Sequence, residues 1–311
     1  MNPTSTPTGS ARSVEVKERK VLSMCDVRAR LREMVSEGSG LLAPGVFDGL
    51  SATLTAEAGF RAVYLTGAGV AASLGVPDIG LTNMTEMARQ VEVVASVVDV
   101  PVIADADTGF GDIAHTYRTV QAYERAGAAA IQLEDQEFPK RCGHLDDKRV
   151  IDAEEFARKI QAAAEARRDP DTVLIARTDS RAGLGFDEAV RRVNLYADAG
   201  ADMVFLEAPQ TIDEVRRLPS SVGAPAVFNL VLGGKTPPVE VTELAELGYA
   251  LVIAPGLNLL HAISAMRAAL RRAIHGDMGD VAGSPHDVFD AVGLPFWQDL
   301  DRRYDRRDSH A

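Results

Sequence analysis

A thiol, two cations and a histidine lie together in the segment 140–144 (Lys-Arg-Cys-Gly-His). Neighbouring cations stabilise a thiolate, and a glycine leaves the backbone beside the thiol free to move. Glu134 and Asp135 precede this segment at the end of an apolar, strand-like run. We therefore predict an acid–base loop beside a carboxylate-lined site. The alternative is that Cys142 is an incidental small residue and that His144 is an ordinary surface histidine.

A second group of acidic residues follows another apolar run, at Asp105 and Asp107. Side chains at i and i+2 of a strand point the same way, so both are predicted to face one site. With Glu134 they form an oxygen-only donor set, which suits Mg²⁺ or Mn²⁺ and not zinc. Buried like charges need a cation to be tolerated, which favours a metal. The alternative is that Asp107 caps a helix beginning near Asp112 and that Asp105 is a solvated loop residue.

Further polar groups end other predicted strands. Arg177 would either form an ion pair with Glu207 or hold a substrate carboxylate through two hydrogen bonds. The segment 66–69 (Thr-Gly-Ala-Gly) would form either a nest of backbone N–H groups or a plain tight turn. The chain has six lysines and none lies on a predicted strand, so Schiff-base chemistry is excluded.

The elements that position these residues follow a repeated pattern. Four times a helical segment ends in glycine and an apolar strand follows, at Gly59, Gly127, Gly200 and Gly248. The residues seven positions after these glycines are Thr66, Glu134, Glu207 and Pro255. Since the repeats are equivalent, we predict that these four residues lie at one level of the fold.

Strands alternating with helices indicate a parallel sheet in an α/β fold. Eight predicted strands between residues 41 and 254 fit a closed (β/α)8 TIM barrel, whose active site lies at the carboxyl ends of the strands. An open doubly wound sheet is the alternative, but the segment 43–48 is not the glycine-rich phosphate turn that such a sheet carries. An extra N-terminal helix is predicted over 24–37, and a C-terminal helical extension follows the barrel.

The predicted organisation is a disordered leader at 1–22, a catalytic barrel at 23–275 and a helical tail at 276–311. The tail is too apolar for a free segment, so we expect it to pack on a neighbouring subunit. A net charge of −12 argues against nucleic-acid binding. Two cysteines make no disulfide framework, so a reducing, cytoplasmic location is expected. No apolar run approaches the roughly 20 residues that cross a membrane.

Ten stretches in order carry a resemblance to a known family. They are 44–48 (PGVFD), 64–69 (YLTGAG), 74–80 (LGVPDIG), 105–111 (DADTGFG), 134–136 (EDQ), 139–144 (PKRCGH), 176–179 (ARTD), 207–209 (EAP), 229 (N) and 233–237 (GGKTP). Together they resemble the isocitrate lyase/phosphoenolpyruvate mutase superfamily. The similarity is greatest to the branch that contains 2-methylisocitrate lyase, 2,3-dimethylmalate lyase, oxaloacetate hydrolase and carboxyphosphonoenolpyruvate phosphonomutase.

The resemblance implies a (β/α)8 barrel in a homotetramer with exchanged C-terminal helices. It implies Mg²⁺, with Mn²⁺ as the alternative, and no organic cofactor. Asp105 would hold the metal, with Asp107 and Glu134 acting mainly through waters. The implied catalytic residues are Cys142 as general acid, Glu207, His144 and Arg177. The implied substrate-binding residues are Thr66, Gly67, Ala68, Lys140, Arg141, Gly143, His144, Arg177 and Asn229, with Tyr64 and Asp78 in support.

The implied reaction is carbon–carbon cleavage of a 2-hydroxy di- or tricarboxylate of the methylisocitrate or alkylmalate type. Hydrolysis of oxaloacetate or transfer of a phosphorus group on a carboxyphosphonoenolpyruvate would use the same site. A non-catalytic, metabolite-binding barrel is a third hypothesis. Relatives have a glutamate where this chain has Leu232, which bears on how one end of the substrate is held.

Overall fold

The computed structural model describes residues 23–143, 148–231, 233–279 and 283–305. Residues up to 279 form one compact unit, and residues 283–305 belong to a second. The predicted leader, His144 and Leu232 lie outside the described residues.

In the described part of the first unit, eight parallel strands form a closed barrel in chain order, with β1 paired to β8. The strands are β1 (Leu41–Val46), β2 (Val63–Leu65), β3 (Val102–Asp105), β4 (Ala130–Glu134), β5 (Val173–Thr178), β6 (Met203–Leu206), β7 (Ala226–Asn229) and β8 (Tyr249–Ala254). This confirms the predicted barrel and excludes an open sheet. The strands are continuous apolar runs because both of their faces are buried.

Helices surround the barrel: the first precedes β1, the last in this unit follows β8, and the others connect the strands. They are α1 (Met24–Ser36), α2 (Gly49–Glu57), α3 (Gly67–Ser73), α4 (Met84–Val97), α5 (Ile113–Ala126), α6 (Ala153–Ala166), α7 (Arg181–Leu184), α8 (Phe186–Asp198), α9 (Ile212–Ser221), α10 (Val241–Glu246) and α11 (Leu257–Ala273). The four glycines predicted to end helices all have positive φ angles, from 90° at Gly59 to 114° at Gly200. Left-handed glycines therefore turn the chain from helix to strand, as the pattern predicted.

The predicted N-terminal helix, α1, lies at the amino end of the strands. Its Leu31 and Met34 belong to the same buried cluster as Ile103 and Phe205 of the barrel. Arg28 donates a hydrogen bond of 3.0 Å to the carbonyl of Ala128, which lies just before β4. The amino end of the barrel is thus covered by α1.

The second unit contains α12 (Pro285–Ala291) and α13 (Leu294–Tyr304). Val288, Phe289 and Trp297 of these helices are exposed within the single chain. Packing of this tail on a neighbouring subunit stays a prediction. Among the residues described, no helix has the length and apolar composition needed to cross a membrane.

Gly45 offers a test of the contact between β1 and β8. A Cβ at this position would lie 2.1 Å from the carbonyl oxygen of Pro255 and 2.5 Å from its Cα. Because both are backbone atoms, the two strands would have to separate. We expect Gly45→Ala to lower the free energy of unfolding in urea by about 2–3 kcal/mol. Gly183→Ala is the matched control, since nothing lies within 4 Å of a Cβ there. Equal stability of the two variants would refute this packing.

Candidate active site

A cavity of about 270 Å³ opens at the carboxyl ends of the strands. The four residues predicted to share one level, Thr66, Glu134, Glu207 and Pro255, all line it. The other predicted site residues in its wall are Tyr64, Ala68, Asp78, Asp105, Lys140, Arg141, Cys142, Gly143, Arg177 and Asn229. This confirms that the four residues lie at one level of the fold, and their roles in a site stay predictions.

Gly67 and Asp107 lie behind this wall and support Asp105. Gly67 N donates to Asp105 Oδ2 at 3.2 Å, and Asp107 N donates to Asp105 Oδ1 at 3.1 Å. Of the two predicted forms of 66–69, a nest of N–H groups or a tight turn, the structure shows neither, because the segment begins helix α3 and Asp105 accepts from the Gly67 N–H. Gly67 thus positions a carboxylate, and its contact with a substrate stays a prediction.

The orientation of Asp107 has a different cause from the predicted one. Asp107 lies beyond the end of β3 with a φ of 47°, so the alternation of strand side chains does not apply to it. It does not cap the next helix either, since Asp112 caps α5. A left-handed conformation is uncommon for a residue other than glycine and is found at functional sites.

A buried polar chain leads from Tyr64 to Asp105. The Tyr64 hydroxyl donates to Gln132 Oε1 at 3.1 Å, and Gln132 Nε2 lies 3.4 Å from Asp105 Oδ1. Gln132 pairs with Asp105 in the register of β3 and β4. Tyr64 therefore supports the acidic group through Gln132. Gln132 was not among the predicted site residues, although a polar residue within an otherwise apolar strand could have indicated a buried hydrogen bond.

Lys140 is a counter-ion for the acidic side of the cavity. Its side chain is 4% exposed, and its ammonium group forms ion pairs with Asp78 and, at 2.7 Å, with Asp107. Burial raises the pKa of Asp107 to about 6, against the opposing attraction of Lys140. Lys140 therefore has a structural role, and its predicted role in substrate binding stays a prediction. Asp78, to which spacing alone gave no role, pairs with Lys140.

Arg177 is held by Asp179 and not mainly by Glu207. Its Nε and Nη2 lie 2.8 and 3.0 Å from the two oxygens of Asp179, whereas Glu207 is 3.8 Å away. Burial alone would lower the pKa of Arg177, but Asp179, Glu207 and Glu134 raise it well above its ordinary value. Arg177 thus forms its bidentate bond with Asp179, which the sequence did not predict, and its hold on a substrate carboxylate stays a prediction. The guanidinium also lies over the Phe205 ring, 5.1 Å from its centroid.

The carboxylates of Glu134 and Glu207 differ in their partners. Glu134 Oε1 is buried without a hydrogen-bond partner among the described residues, and burial raises the pKa of this carboxyl well above its usual range. Glu207 Oε2 accepts a hydrogen bond of 3.1 Å from the Asn229 amide. Asn229, the last residue of β7, thereby holds the side chain of Glu207, which follows β6.

The acidic side of the cavity fits a hard divalent cation. Asp105 and Glu134 supply oxygen donors of the kind that Mg²⁺ prefers, and the partnerless oxygen of Glu134 is a buried acceptor of the kind a hydrated cation satisfies. In the described ranges, no three histidine, cysteine or acidic side chains converge closely enough to form a ready-made metal cage. The residues present therefore fit an ion held through few direct protein ligands.

The reactive segment lies directly against the charged residues. Cys142 is half-buried and is not in a disulfide, and its N–H donates to the carbonyl of Asp78 at 3.2 Å. A Cβ on Gly143 would lie 2.3 Å from Glu207 Oε1 and 2.4 Å from Arg177 Nη2. Only a glycine lets the backbone come this close, so the thiol is brought to the cavity by its neighbour.

The opposite wall of the cavity is apolar. Its side chains are Val231, Ile253, Pro255, Leu259 and Leu260, from the segment after β7, from β8 and from α11. The cavity is therefore two-sided, with charge on one side and hydrocarbon on the other. Such a cavity fits a small carboxylate that carries an alkyl group.

Lys148 was not among the predicted site residues, but it contacts two residues beside the cavity. Lys148 Nζ donates to the Gly143 carbonyl and to Asp179 Oδ1. A lysine in a polar loop gives no signal of burial in the sequence, so spacing alone could not have identified it.

Comparison with known proteins places these features in a family. The family model described as phosphoenolpyruvate phosphomutase matches residues 31–274. A 2,3-dimethylmalate lyase from Eubacterium barkeri is 44% identical over 239 residues, covering 76% of this chain and 83% of the relative. A 2-methylisocitrate lyase from Aeropyrum pernix is 41% identical over 281 residues, covering 89% and 91%.

Solved structures agree with this assignment. An oxaloacetate acetylhydrolase in complex with the inhibitor 3,3-difluorooxalacetate superposes with a TM-score of 0.85 at 35% identity, covering 89% of this chain and 96% of the other. A phosphonopyruvate hydrolase in complex with oxalate and Mg²⁺ superposes with a TM-score of 0.80 at 32% identity, covering 89% and 99%.

Asp179 forms ion pairs with two buried cations, Lys148 and Arg177, so its replacement tests how much these pairs stabilise the fold. Replacing it by asparagine would leave Arg177 and Lys148 buried without their shared carboxylate. We expect Asp179→Asn to lower the free energy of unfolding by about 3–5 kcal/mol, measured by urea denaturation. Asp187→Asn is the control, because its 3.8 Å pair with Arg217 is on the surface. A small, equal effect of both substitutions would show that the buried pairs contribute little.

Proposed function

This chain belongs to the phosphoenolpyruvate phosphomutase family of the isocitrate lyase/phosphoenolpyruvate mutase superfamily, and from that membership we propose a Mg²⁺-dependent lyase acting on an alkyl-bearing 2-hydroxy carboxylate. Its named relatives at about 40% identity are lyases, so the chain is an enzyme of the carbon–carbon lyase type. The metal and the substrate are the parts that we propose.

One observation carries the proposal: a thiol, buried carboxylates and an arginine line the same small cavity as an apolar wall. A hydroxy acid needs oxygen-binding groups at one end. Its leaving carbon needs a proton donor, and an alkyl group needs hydrocarbon contacts. Cys142, Asp105 and Val231 represent these three requirements within one cavity.

Asp105 would hold the divalent cation, with Asp107 and Glu134 contributing through waters. When bound, the cation supplies Lewis-acid stabilisation of the charge that develops on the substrate oxygens. The buried acceptor at Glu134 and the two N–H groups that fix Asp105 support this assignment. Mn²⁺ is the alternative ion for such an oxygen donor set.

The chain's own residues orient the substrate and move one proton. Arg177, held by Asp179, presents its remaining N–H groups to substrate oxygens, while Asn229 and Glu207 define the far end. The bond between the hydroxyl-bearing carbon and its neighbour breaks as the hydroxyl proton passes to a carboxylate of the cavity. The hydroxyl carbon becomes the carbonyl of a 2-oxo acid, and the electron pair stays on the departing carbon. Cys142 then donates its proton to that carbon as general acid.

The apolar wall supports substrates of the 2-methylisocitrate or alkylmalate type. Val231, Ile253 and Leu259 offer contacts that an alkyl substituent would fill and a carboxylate would not. Hydrolysis of oxaloacetate is the second candidate, supported by the similarity to oxaloacetate acetylhydrolase. Oxaloacetate has no alkyl branch, so it would leave this wall without a ligand contact.

Release of a 2-oxo acid tests the proposal. Purified protein with Mg²⁺ would be given 2-methylisocitrate, isocitrate, 2,3-dimethylmalate and oxaloacetate in turn, with and without EDTA. We expect chelator-sensitive release of pyruvate or a close homologue from an alkylated substrate. Oxalate from oxaloacetate would instead support the hydrolase. Inactivity on the whole panel would refute both and leave the phosphorus-group transfer or a non-catalytic barrel.

Replacement of the thiol tests the role of Cys142. Cys142→Ser should lower turnover roughly 100-fold or more, because a serine hydroxyl is a much weaker acid in that position. Cys25→Ser is the matched control, since Cys25 is exposed on α1 and does not line the cavity. Near-normal turnover of a folded Cys142→Ser variant would remove the general-acid role.

Replacement of Gln132 tests the support of the metal side. Gln132→Leu removes the amide between Tyr64 and Asp105 and should weaken Mg²⁺ binding about 10- to 100-fold. The readout is the Mg²⁺ concentration that gives half of the ion-induced rise in melting temperature. Gln210→Leu serves as control, since Gln210 is exposed. An unchanged Mg²⁺ requirement in Gln132→Leu would show that the hydrogen bonds from Tyr64 through Gln132 to Asp105 do not affect Mg²⁺ affinity.

A further inference from the structure

We propose that Lys148 is a positioning residue that fixes the Cys142–Gly143 segment over the cavity by tying it to the carboxylate that holds Arg177. This inference rests on the proposed function only in treating Cys142 as the proton donor. The placement of the segment can be measured whether or not turnover is found.

Two contacts define the role of Lys148. Its Nζ lies 2.5 Å from the Gly143 carbonyl oxygen and 2.7 Å from Asp179 Oδ1. The side chain of Lys148 is 4% exposed, and that of Asp179 is fully buried. A buried ammonium is costly unless it is paired and hydrogen-bonded, so these two bonds determine where the side chain lies.

The carboxylate that receives Lys148 is itself fixed by the barrel. Asp179 N donates to Asp135 Oδ1 at 2.9 Å, and Asp135 lies at the end of β4 with no exposure. Asp135 Oδ2 also accepts hydrogen bonds from Thr178 and Tyr196. Lys148 therefore joins the reactive segment to a buried residue that directly follows β5 and is hydrogen-bonded to Asp135.

The same carboxylate links the segment to Arg177. Asp179 Oδ1 accepts from Lys148 at 2.7 Å and from Arg177 Nη2 at 3.0 Å. Gly143 lies against Arg177 and Glu207 so closely that no Cβ fits. A shift of Gly143 would thus move the thiol relative to the guanidinium. Lys148 sets the distance between the proton donor and the group that orients the substrate.

The alkylation rate of Cys142 tests this role without any substrate. The full chain would be treated with a neutral maleimide across a pH series, and mass spectrometry would follow Cys142 and Cys25 separately. The plateau rate at high pH reports access, because the thiol is then fully ionised. We expect Lys148→Met to raise the plateau rate at Cys142 about tenfold or more, the factor for loss of a hydrogen bond to a charged group. The rate at exposed Cys25 should not change.

Lys159 provides the matched control. It is also 4% exposed and donates to two backbone carbonyls, those of Thr108 and Gly111, but it does not touch the reactive segment. Lys159→Met should leave the alkylation of Cys142 unchanged. A Cys142 rate in Lys148→Met equal to that in the wild type, or equal acceleration by both variants, would overturn the inference.

Steady-state kinetics add a second readout on an active substrate. Lys148→Met should lower kcat at least tenfold with little change in KM, since it displaces the proton donor and leaves the substrate-binding groups in place. If Lys148→Met does not fold, Lys148→Gln takes its place in both assays with the same expected changes, since an uncharged and shorter side chain loses the ion pair with Asp179 that ties the segment down. Inactive wild-type protein would refute the proposed function, whereas the alkylation rates decide the inference by themselves.

Discussion

The structure depends on how negative charge is tolerated at the carboxyl end of the barrel. Among the described residues, buried carboxylates lie there beside buried cations. The carboxylates include Asp105, Asp107, Glu134, Asp179 and Glu207, and the cations include Lys140, Lys148 and Arg177. Burial of a charge without compensation is costly, so Lys140 and Arg177 each pair with more than one carboxylate, and Lys148 pairs with Asp179 and the Gly143 carbonyl. The remaining negative excess is what a divalent cation would relieve, and it lies where the proposed chemistry needs one.

The fold produces this concentration of charge through its symmetry. Parallel strands of similar length end at one edge, so the residue after each strand faces a common cavity. Glu134 pairs with Arg177 in the register of β4 and β5, which brings opposite charges to the same level. The left-handed backbone conformation of Asp107 lets its carboxylate form an ion pair with Lys140. The ion pairs that stabilise this end of the barrel therefore belong to the residues that the proposed function uses.

The sequence predicted the barrel and the level of the site because the barrel repeats. A fixed interval from a helix-ending glycine becomes a fixed height, so Thr66, Glu134, Glu207 and Pro255 could be placed together without a structure. The interval says nothing about partners across the cavity. An ion pair of Arg177 with Glu207 was one of two predicted alternatives, but Asp179 is closer because it lies only two residues further along the chain.

Contacts made by loops were the least predictable part of the site. Lys140 and Lys148 lie outside the described helices and strands, and their partners Asp78 and Asp179 are far away in the sequence. Gly67 was expected to offer its N–H to a ligand, but the fold uses that donor for Asp105. These pairings follow from the three-dimensional path of the loops, which residue type and spacing do not encode. The positions of His144 and Leu232 lie outside the described residues and stay predictions.

Electron paramagnetic resonance of Mn²⁺ tests the charge balance most directly. Mn²⁺ titrated into the full chain should lose its free-ion signal until about one ion per chain is bound, and Mg²⁺ should restore that signal by competition. Asp105→Asn should abolish this binding, whereas the surface variant Asp187→Asn should bind as the wild type does. An undiminished free-ion signal with the wild type, or equal binding by Asp105→Asn, would contradict the assignment of the acidic side of the cavity to a divalent cation.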